Sequence, residues 1–367
     1  MFKQISIPLA FGAIVGSFIL WPMVVVGRAW RLTSRFGKRS GWSSGRKGRY
    51  FFCLVRIALR YRLNPIDIHR FELVGEGAGS NSFRDYVSEA LVLPLLAKAN
   101  ECRETEILSD KEAFSVICQK RGIEAVSNLA IVGEGRSSLD LVLKGYRDSL
   151  IFKPRIGSRS EGVERWDWTA EGFSRAFQDT VLTAEALSDR VSLLSASREY
   201  LVQPCLRNHP ELDDLSNGGV VVFRVLTVLV DGRVEVLAPI AQLPIEKAKD
   251  ADWREVVVFV AVDIASGALT AILGRNQYIL DTGKHPLSGA PIVGRVVPHW
   301  EEGMALVRKA HTAFPGLLVV GWDLVFTSCG PVLIEGNTGC ALAAHQFPPQ
   351  RPLRQTVLWD ALLAKFK

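Results

Sequence analysis

The sequence predicts an α+β protein, and three observations support that prediction. Two apolar runs at residues 320–326 and 331–337 flank a Ser-Cys-Gly-Pro turn, which is the pattern of a β-hairpin. The β-branched run at 220–230 ends at Asp231-Gly232, a second hairpin signal. Residues 301–314 repeat apolar side chains at helical spacing. At 367 residues, the chain is long enough for two or three subdomains with separate cores.

Charge is distributed unevenly along the chain. The formal net charge is +6, yet no acidic residue precedes Asp67, and the first 66 residues contain twelve Lys and Arg. The arm therefore carries +12 and the rest of the chain −6. A mildly acidic body argues against nucleic acid as a partner, whereas the basic arm predicts contact with an anionic membrane surface. The six cysteines show no Cys-x-x-Cys pair, which is typical of free thiols in a reducing compartment.

Residues 4–27 carry no charged side chain and are mostly apolar. This stretch is long enough to cross a hydrocarbon core as a helix, and the arginines after it favour a body on the cytoplasmic side. Three arrangements stay open: a membrane span over residues 5–26, a helix that lies in the membrane interface, and an apolar helix packed on the body. Pro8 and Pro22 count against the span because proline interrupts helices.

The segment that follows is basic and aromatic. Residues 37–48 are rich in Gly, Ser, Arg and Lys, and they predict a loop. Apolar residues then recur at helical spacing over 49–62, with arginines between them. This pattern predicts a juxtamembrane helix that ends before Asn64-Pro65.

Two lysines occupy positions in the sequence that the binding of a phosphate would explain. Lys111 opens a predicted helix that is capped by Asp110 or by the serine before it, and it is either solvated or directed at a ligand. Lys153 lies near the end of the apolar run 149–154. This run and the run at 139–143 predict a pair of strands. The Gly/Ser-rich loop after Lys153 can lay its N–H groups over a triphosphate, to which the lysine adds a point charge.

Acidic and amide side chains interrupt the C-terminal hairpin. Asp323 lies in its first strand, and Glu335 and Asn337 share one face at the end of the second. Their oxygens are the ligands that Mg²⁺ takes when it also holds phosphates, or they are solvated groups at a sheet edge. Arg224 lies in a strongly apolar strand and needs a partner there, either a phosphate or a core carboxylate such as Asp323 or Glu335.

In this order, the features resemble the ATP-grasp superfamily, and more narrowly its sugar-transfer-associated family. Gly-x-Asp, a turn and Leu-Ile-Glu-Gly-Asn over 321–337 resemble the superfamily's metal signature. Residues 200–206 resemble the strand and hinge that hold adenine. The resemblance covers residues 20–350. It implies the ATP-grasp fold, in which two α+β subdomains clasp ATP, here preceded by an apolar N-terminal segment and a basic helical arm.

The resemblance also implies roles for individual residues. The implied catalytic residues are Arg224 and Lys111. The implied ATP-binding residues are Lys111, Lys153, Gly157, Ser158, Gly162, Val163, Gln203, Pro204, Cys205, Leu206 and Arg224. The implied Mg²⁺ ligands are Asp323, Glu335 and Asn337.

Six segments are predicted along the chain. They are a membrane-anchor segment (1–27), a basic juxtamembrane arm (28–66), a helical subdomain (67–130), an ATP-grasp lid (131–205), a catalytic subdomain (206–350) and a C-terminal helix (351–367).

The activity implied by the resemblance is ATP- and Mg²⁺-dependent ligation of a carboxylate to an amine through an acyl phosphate. The implied substrates are a carboxylate and an amine or sugar on a surface-polysaccharide precursor, on the cytoplasmic side of a membrane. One departure stands out: the family usually has Asn followed by Gly-Gly before the strand at 256–264, where this chain has Ala251 to Glu255. The departure favours either a changed acceptor or a membrane-tethered ATP-binding scaffold without turnover. An ATP-dependent phosphotransferase is a further alternative.

Overall fold

The structure is a computed structural model. It describes residues 7–39, 41–70, 74, 83–133, 139–157, 161–176, 178, 180–245, 257–273, 283–342, 344–346 and 351–367. Two predicted features, Ser158 and the departure at Ala251 to Glu255, lie outside the described residues.

The described ranges form helices and strands in an α+β arrangement. The helices are α1 (Ile7–Arg39), α2 (Ser44–Tyr61), α3 (Pro65–Arg70), α4 (Glu89–Ala99), α5 (Arg103–Ser109), α6 (Lys111–Arg121), α7 (Leu139–Gly145), α8 (Ala184–Ser195), α9 (Trp300–Thr312) and α10 (Val357–Lys365). The strands are β1 (Ala130–Val132), β2 (Leu150–Pro154), β3 (Glu164–Thr169), β4 (Gly172–Arg175), β5 (Val181–Leu182), β6 (Tyr200–Pro204), β7 (Val222–Val230), β8 (Arg233–Pro244), β9 (Val257–Val262), β10 (Leu269–Leu273), β11 (Val319–Thr327) and β12 (Gly330–Asn337).

The first sheet has the strand order β1-β6-β2-β3-β4-β5, with every neighbouring pair antiparallel. Its core contains the large buried side chains of Phe152, Trp166, Phe173 and Tyr200. Helices α7 and α8 pack on the sheet and contribute to the same apolar cluster.

The second sheet has the order β10-β9-β8-β7-β11-β12 and is also antiparallel throughout. Helix α9 covers one face, where Phe314, Trp322 and Phe326 lie in the largest core cluster. Helices α4 and α10 cover part of the opposite face, over Leu226 and Val228 of β7. That opposite face also carries Arg224, because every second residue of a strand projects from the same side, and residues 224, 226 and 228 are spaced in this way.

A short segment joins the two sheets. The N–H of Val126 donates to the carbonyl of Leu333 in β12, at 2.9 Å. Three residues further on, the N–H of Leu129 donates to the carbonyl of Val202 in β6, at 2.8 Å. The segment thereby ties β12, at the edge of the second sheet, to β6, which is next to the edge strand of the first.

The predicted strand at 139–143 is wrong, because Leu139–Gly145 is helix α7. Leu139 and Leu143 are four residues apart and both buried in the first sheet's core, which is the spacing of one helix face. The predicted loop over 37–48 is also too long. Helix α1 continues to Arg39, and α2 begins at Ser44, where Ser43 caps it by accepting from the N–H of Arg46.

The C-terminal half of α1 packs on the body of the protein. Val25 and Ala29 are fully buried and share an apolar cluster with Leu54 and Ile57 of α2. Of the three arrangements open for residues 4–27, packing on the body therefore describes the end of that stretch, around Val25. Among the described residues, no helix combines the length and the apolar character that a membrane crossing requires.

Candidate active site

Three charged side chains lie in one row across three strands of the second sheet. Asp323 of β11 is paired with Arg224 of β7 on one side and with Glu335 of β12 on the other. Directly paired residues in a sheet project from the same face. The hairpin predicted from the sequence is confirmed, together with its opposition of Asp323 to Glu335.

Arg224 and Asp323 form a bidentate ion pair. The Arg224 Nε lies 2.7 Å from Asp323 Oδ1, and its Nη2 lies 2.6 Å from Oδ2. The side chains are only 18% and 8% exposed, so each charge needs the other to be tolerated there. Of the two partners that the sequence allows for Arg224, the structure contains the core carboxylate.

The charges in this row affect one another strongly. Burial raises the pKa of Asp323; the Arg224 guanidinium opposes this, and the negative charge of Glu335 adds to it. Burial alone would lower the pKa of Arg224, but the Asp323 carboxylate holds that pKa above its usual value. Two neighbouring carboxylates that repel each other form a place where a cation is favourable.

Glu335 and Asn337 complete the donor set predicted for a metal. Both are partly buried, and the Asn337 Nδ2 donates to Glu335 Oε1 at 3.3 Å. In the part of the chain that the structure describes, no group of three or more His, Cys, Asp or Glu is arranged for a metal. The set here has two carboxylates and one amide oxygen. Such hard oxygen donors fit Mg²⁺, which keeps water and substrate phosphates as its other ligands.

Lys153 approaches this row from the first sheet. It is 5% exposed, and burial lowers its pKa to about 8, against opposing effects of the negative charges on Glu335 and Asp323. The positive charge of Lys111 lowers that pKa further. Lys153 thus lies close enough to both carboxylates and to the second lysine for their charges to interact.

Lys111 reaches the same place from the start of α6. Its Nζ donates to the carbonyl of Gly157 at 2.8 Å, in the loop after β2. Burial lowers its pKa, and the charge of Glu335 opposes this shift. The charges of both predicted lysines therefore interact with that of Glu335, although the lysines belong to different parts of the fold.

A network that the sequence analysis missed holds Lys111 in position. Arg155, two residues after Lys153, donates to Asp110 Oδ1 at 2.8 Å and lies 2.6 Å from Glu112 and 2.7 Å from Glu199. Asp110 also caps α6 by accepting from two backbone N–H groups. The start of α6 is thus tied to the end of β2, and the signal in the sequence was the arginine directly after the Lys-Pro pair.

The predicted adenine hinge lies at the end of β6. Gln203 is buried and its side-chain amide donates to Asn128 at 2.8 Å, which is a structural role. The N–H of Cys205 donates to the carbonyl of Ser149, and Pro204 has no N–H, so neither can donate to a base. A cavity of about 280 Å³ borders Cys205 and Leu206. A base bound here as predicted would therefore contact the carbonyl oxygens and Leu206.

A family model described as sugar-transfer-associated ATP-grasp matches residues 94–358 of the chain. The chain belongs to this family. The fold predicted from the sequence, an α+β ATP-grasp fold, is confirmed. The match begins within α4, so helices α1 to α3 precede the part that the family model covers.

Several solved ligases and synthetases are similar in structure. They are an L-amino acid ligase from Bacillus licheniformis (15% identity, 70% of this chain and 48% of that chain, TM-score 0.41), the D-cycloserine synthetase DcsG (15%, 76% and 80%, 0.45) and a D-alanine–D-alanine ligase from Helicobacter pylori (14%, 70% and 61%, 0.41). The chain spans about half the length of the first of these. Such distant likenesses carry no information on activity. A comparison with curated protein sequences finds no match.

The loop that the sequence predicts to be the lid connects β2 to β3. Gly157, Gly162 and Val163 all lie in it, as predicted, and Val163 is 41% exposed. Gly162 adopts φ +75°, in the left-handed region that favours glycine. A side chain there would also collide with Arg198 Nη2, 2.4 Å from an added Cβ. Glycine at this position therefore allows the loop to turn closely over the sheet.

His345 is a buried residue beside the ATP-grasp site that sequence reasoning did not single out. Its Nδ1 donates to the carbonyl of Ala238, and its Nε2 has no hydrogen-bond partner among the described residues. Burial lowers its pKa to about 4, and the charge of Arg224 contributes to that shift. The imidazole is thus neutral near the row of charges. Nothing in the local sequence pattern indicates this placement.

Proposed function

We propose that this chain is an ATP- and Mg²⁺-dependent ligase that joins a carboxylate to an amine through an acyl phosphate. The observation that supports this most strongly is Lys153. A buried ammonium costs free energy unless something negative compensates it, and Lys153 lies close enough to Glu335 and Asp323 of the other sheet for their charges to act on it. A metal–triphosphate fits between them, because the metal matches the carboxylates and the phosphates match the lysine.

The proposed roles follow the residues from one sheet to the other. Asp323, Glu335 and Asn337 hold Mg²⁺, which neutralises charge on the phosphates when it is bound. Lys153 and Lys111 bind the phosphates. The β2–β3 loop covers them with Gly157, Ser158, Gly162 and Val163, and the segment from Gln203 to Leu206 borders the base.

Arg224 has a dual role in this proposal. In the absence of nucleotide it orients Asp323 through the bidentate pair. A guanidinium has five N–H donors, so it can keep one hydrogen bond to Asp323 and offer others to a phosphate. Arg224 and Lys111 then stabilise the negative charge that develops as the phosphoryl group moves.

The chemistry balances in two steps. A substrate carboxylate oxygen attacks the γ-phosphorus of ATP, which forms the acyl phosphate and releases ADP. An amine then attacks the acyl carbon and loses a proton, phosphate leaves, and an amide remains. The acceptor we propose is an amine or sugar on a surface-polysaccharide precursor, on the cytoplasmic side of a membrane, with no nucleic acid involved.

Trapping with hydroxylamine tests this function. The full chain is incubated with ATP, Mg²⁺ and a panel of amino acids and uronic acids, and hydroxamate and ADP are measured. Hydroxamate formed with one carboxylate, at one ADP per hydroxamate, is the expected result. A phosphorylated product without hydroxamate would instead support a phosphotransferase. ATP binding without any ADP release, over the whole panel, would support the non-catalytic scaffold.

ATP affinity should fall as the pH rises through the titration of Lys153. Its pKa of about 8 in the free protein lies below the ordinary value for lysine, and bound phosphates hold the lysine protonated. Binding at pH 9 must therefore take up a proton, and the dissociation constant should be about tenfold higher than at pH 7. Lys111, whose pKa is also lowered, adds to the same trend.

Calorimetry in two buffers with different ionisation enthalpies measures that proton uptake. The variant Lys153→Met should bind ATP more weakly at every pH and lose most of the uptake. Equal uptake in the variant and in the unmodified protein would assign the titration to another group. The stability of the protein depends on pH through the same lysine. Between pH 8 and 10.5 the unfolded chain binds more protons at Lys153 than the folded protein does, so the contribution of Lys153 to the free energy of unfolding increases with pH.

A further inference from the structure

The outer sides of α1 and α2 expose large apolar side chains to solvent. Met23 is 73% exposed, Trp30 65% and Phe52 71%. The rings of Trp30 and Phe51 meet edge to face with centroids 6.1 Å apart, and those of Phe51 and Phe52 are 5.4 Å apart. The exposed sides of the two helices therefore join into one surface, although a monomeric protein gains nothing from leaving three such side chains in water.

Arginines alternate with these apolar residues. On α2, Arg49, Phe52 and Arg56 are exposed at a spacing of three and four residues, which is one stripe of a helix. On α1, Arg31 is exposed next to Trp30. We call the surface formed by Met23, Trp30, Arg31, Arg49, Phe52 and Arg56 the arm face.

The charge of the arm cannot be balanced by acidic residues of the arm itself. The first 66 residues contain twelve Lys and Arg and no Asp or Glu. Arginines with exposed aromatic and aliphatic side chains between them match a membrane interface, which takes rings at the headgroup level and pairs the arginines with lipid phosphates. Nucleic acid matches less well, because Met23 has no place in phosphate or base recognition.

The inner side of the same arm lies next to the charged row of the second sheet. Ile240 of β8 is paired with Arg224, and Ala261 of β9 is paired with Ile240. Ile240 and Ala261 are buried in one apolar cluster with Val25 of α1 and Leu54 of α2. The arm therefore covers the sheet on the face that carries Arg224, directly beside the site.

We infer that the arm face docks on the interface of an anionic membrane, with Trp30 and Phe52 at the headgroup level and the arginines on lipid phosphates. Docking through the arm holds the candidate active site at a fixed position relative to the lipid surface. A consequence for the acceptor substrate rests on the proposed ligase function. With that function, the acceptor reaches the site from the membrane, as a lipid-linked precursor would.

Vesicle flotation of the full chain tests the docking. The probe is phosphatidylcholine vesicles with and without phosphatidylglycerol. Binding to the anionic vesicles, weakened by added salt, is the expected result. The variant Arg49→Glu/Arg56→Glu should bind more than about 25-fold more weakly, since each basic residue lost near an anionic surface costs roughly fivefold and each added glutamate is repelled by that surface. Trp30→Ser/Phe52→Ser should bind more weakly while its salt dependence is kept.

Matched variants keep the test specific. Leu193→Ser removes a side chain that is 79% exposed on α8, and Arg233→Glu/Lys367→Glu reverses two exposed charges outside the arm; both should bind vesicles like the unmodified protein. Equal binding by all variants, or none to anionic vesicles, would overturn the inference. Binding of the protein to RNA or DNA, without any binding to vesicles, would also overturn it. ATP binding and hydroxamate formation should be unchanged in the arm variants, which separates a failure of docking from a failure of the ligase proposal.

Discussion

Replacing Lys153 with Met is expected to lower ATP-dependent activity by about 10²–10³-fold, because the variant lacks a charge fixed against the transferred phosphoryl group. The free energy of unfolding should stay equal or increase. Lys153 is 5% exposed, and a methionine of similar length fills the space without the cost of burying an ammonium. Hydroxamate formation and denaturant unfolding measure the two effects.

The control for Lys153 is Lys144→Met, which removes an exposed lysine in the last turn of α7. Activity and stability should both remain unchanged in it. A Lys153→Met variant that keeps its activity within about threefold would show that the lysine is a packing element and not part of a phosphate site. A large loss of stability would show that its attraction to the charges of Glu335 and Asp323 outweighs the cost of its burial.

The second large effect concerns the buried pair of Arg224 and Asp323. Either Arg224→Leu or Asp323→Leu should lower the free energy of unfolding by about 3–5 kcal/mol, because each leaves one buried charge without its partner. The double variant should recover most of that loss, since both charges are then gone. Urea unfolding of the four proteins gives the interaction energy of the pair.

Activity separates the structural role of this pair from its proposed catalytic one. The double variant should be folded and inactive, because it lacks both a metal ligand and a phosphate-binding arginine. If the two single losses simply add in the double variant, the two side chains do not depend on each other. If the double variant retains turnover, neither residue acts in the reaction.

Local patterns predicted the parts of the site that lie within one hairpin or at one helix end. Alternation in two apolar runs was enough to oppose Asp323 to Glu335, because a short turn fixes the register of a hairpin. Residue type limited the cap of α6 to Asp110 or the serine before it, and the structure has Asp110 as the cap. These features depend on neighbours in sequence, which is why they could be inferred.

Features that depend on distant pairing could not be inferred in the same way. Arg224 and Asp323 are 99 residues apart, and no local pattern fixes the register between β7 and β11. Helix α7 was mistaken for a strand because a short apolar run suits either structure until its packing is known. Strand β3 was not predicted, since it begins at Glu164, a buried acid whose charge is compensated by Arg175 and Arg190 from other elements.

The packing of the arm decides which form of the protein is suitable for a test of nucleotide binding. A fragment that lacks residues 1–66 would expose Ile240 and Ala261, which are buried against α1 and α2. The full chain is therefore the appropriate sample. Removing the arm would confuse a loss of folding with a loss of nucleotide binding.

The most direct test is the melting temperature of the full chain with ATP and Mg²⁺, beside Glu335→Gln and the surface control Glu301→Gln. We expect a Mg²⁺-dependent rise in melting temperature for the unmodified protein and for Glu301→Gln. At a ligand concentration of a hundred times Kd, the gain in stability is about 2.7 kcal/mol. Glu335→Gln should lose most of this rise while it melts normally without ligand. No rise at millimolar ATP in the well-folded chain, or an equal rise in Glu335→Gln, would contradict a metal–nucleotide site between the two sheets.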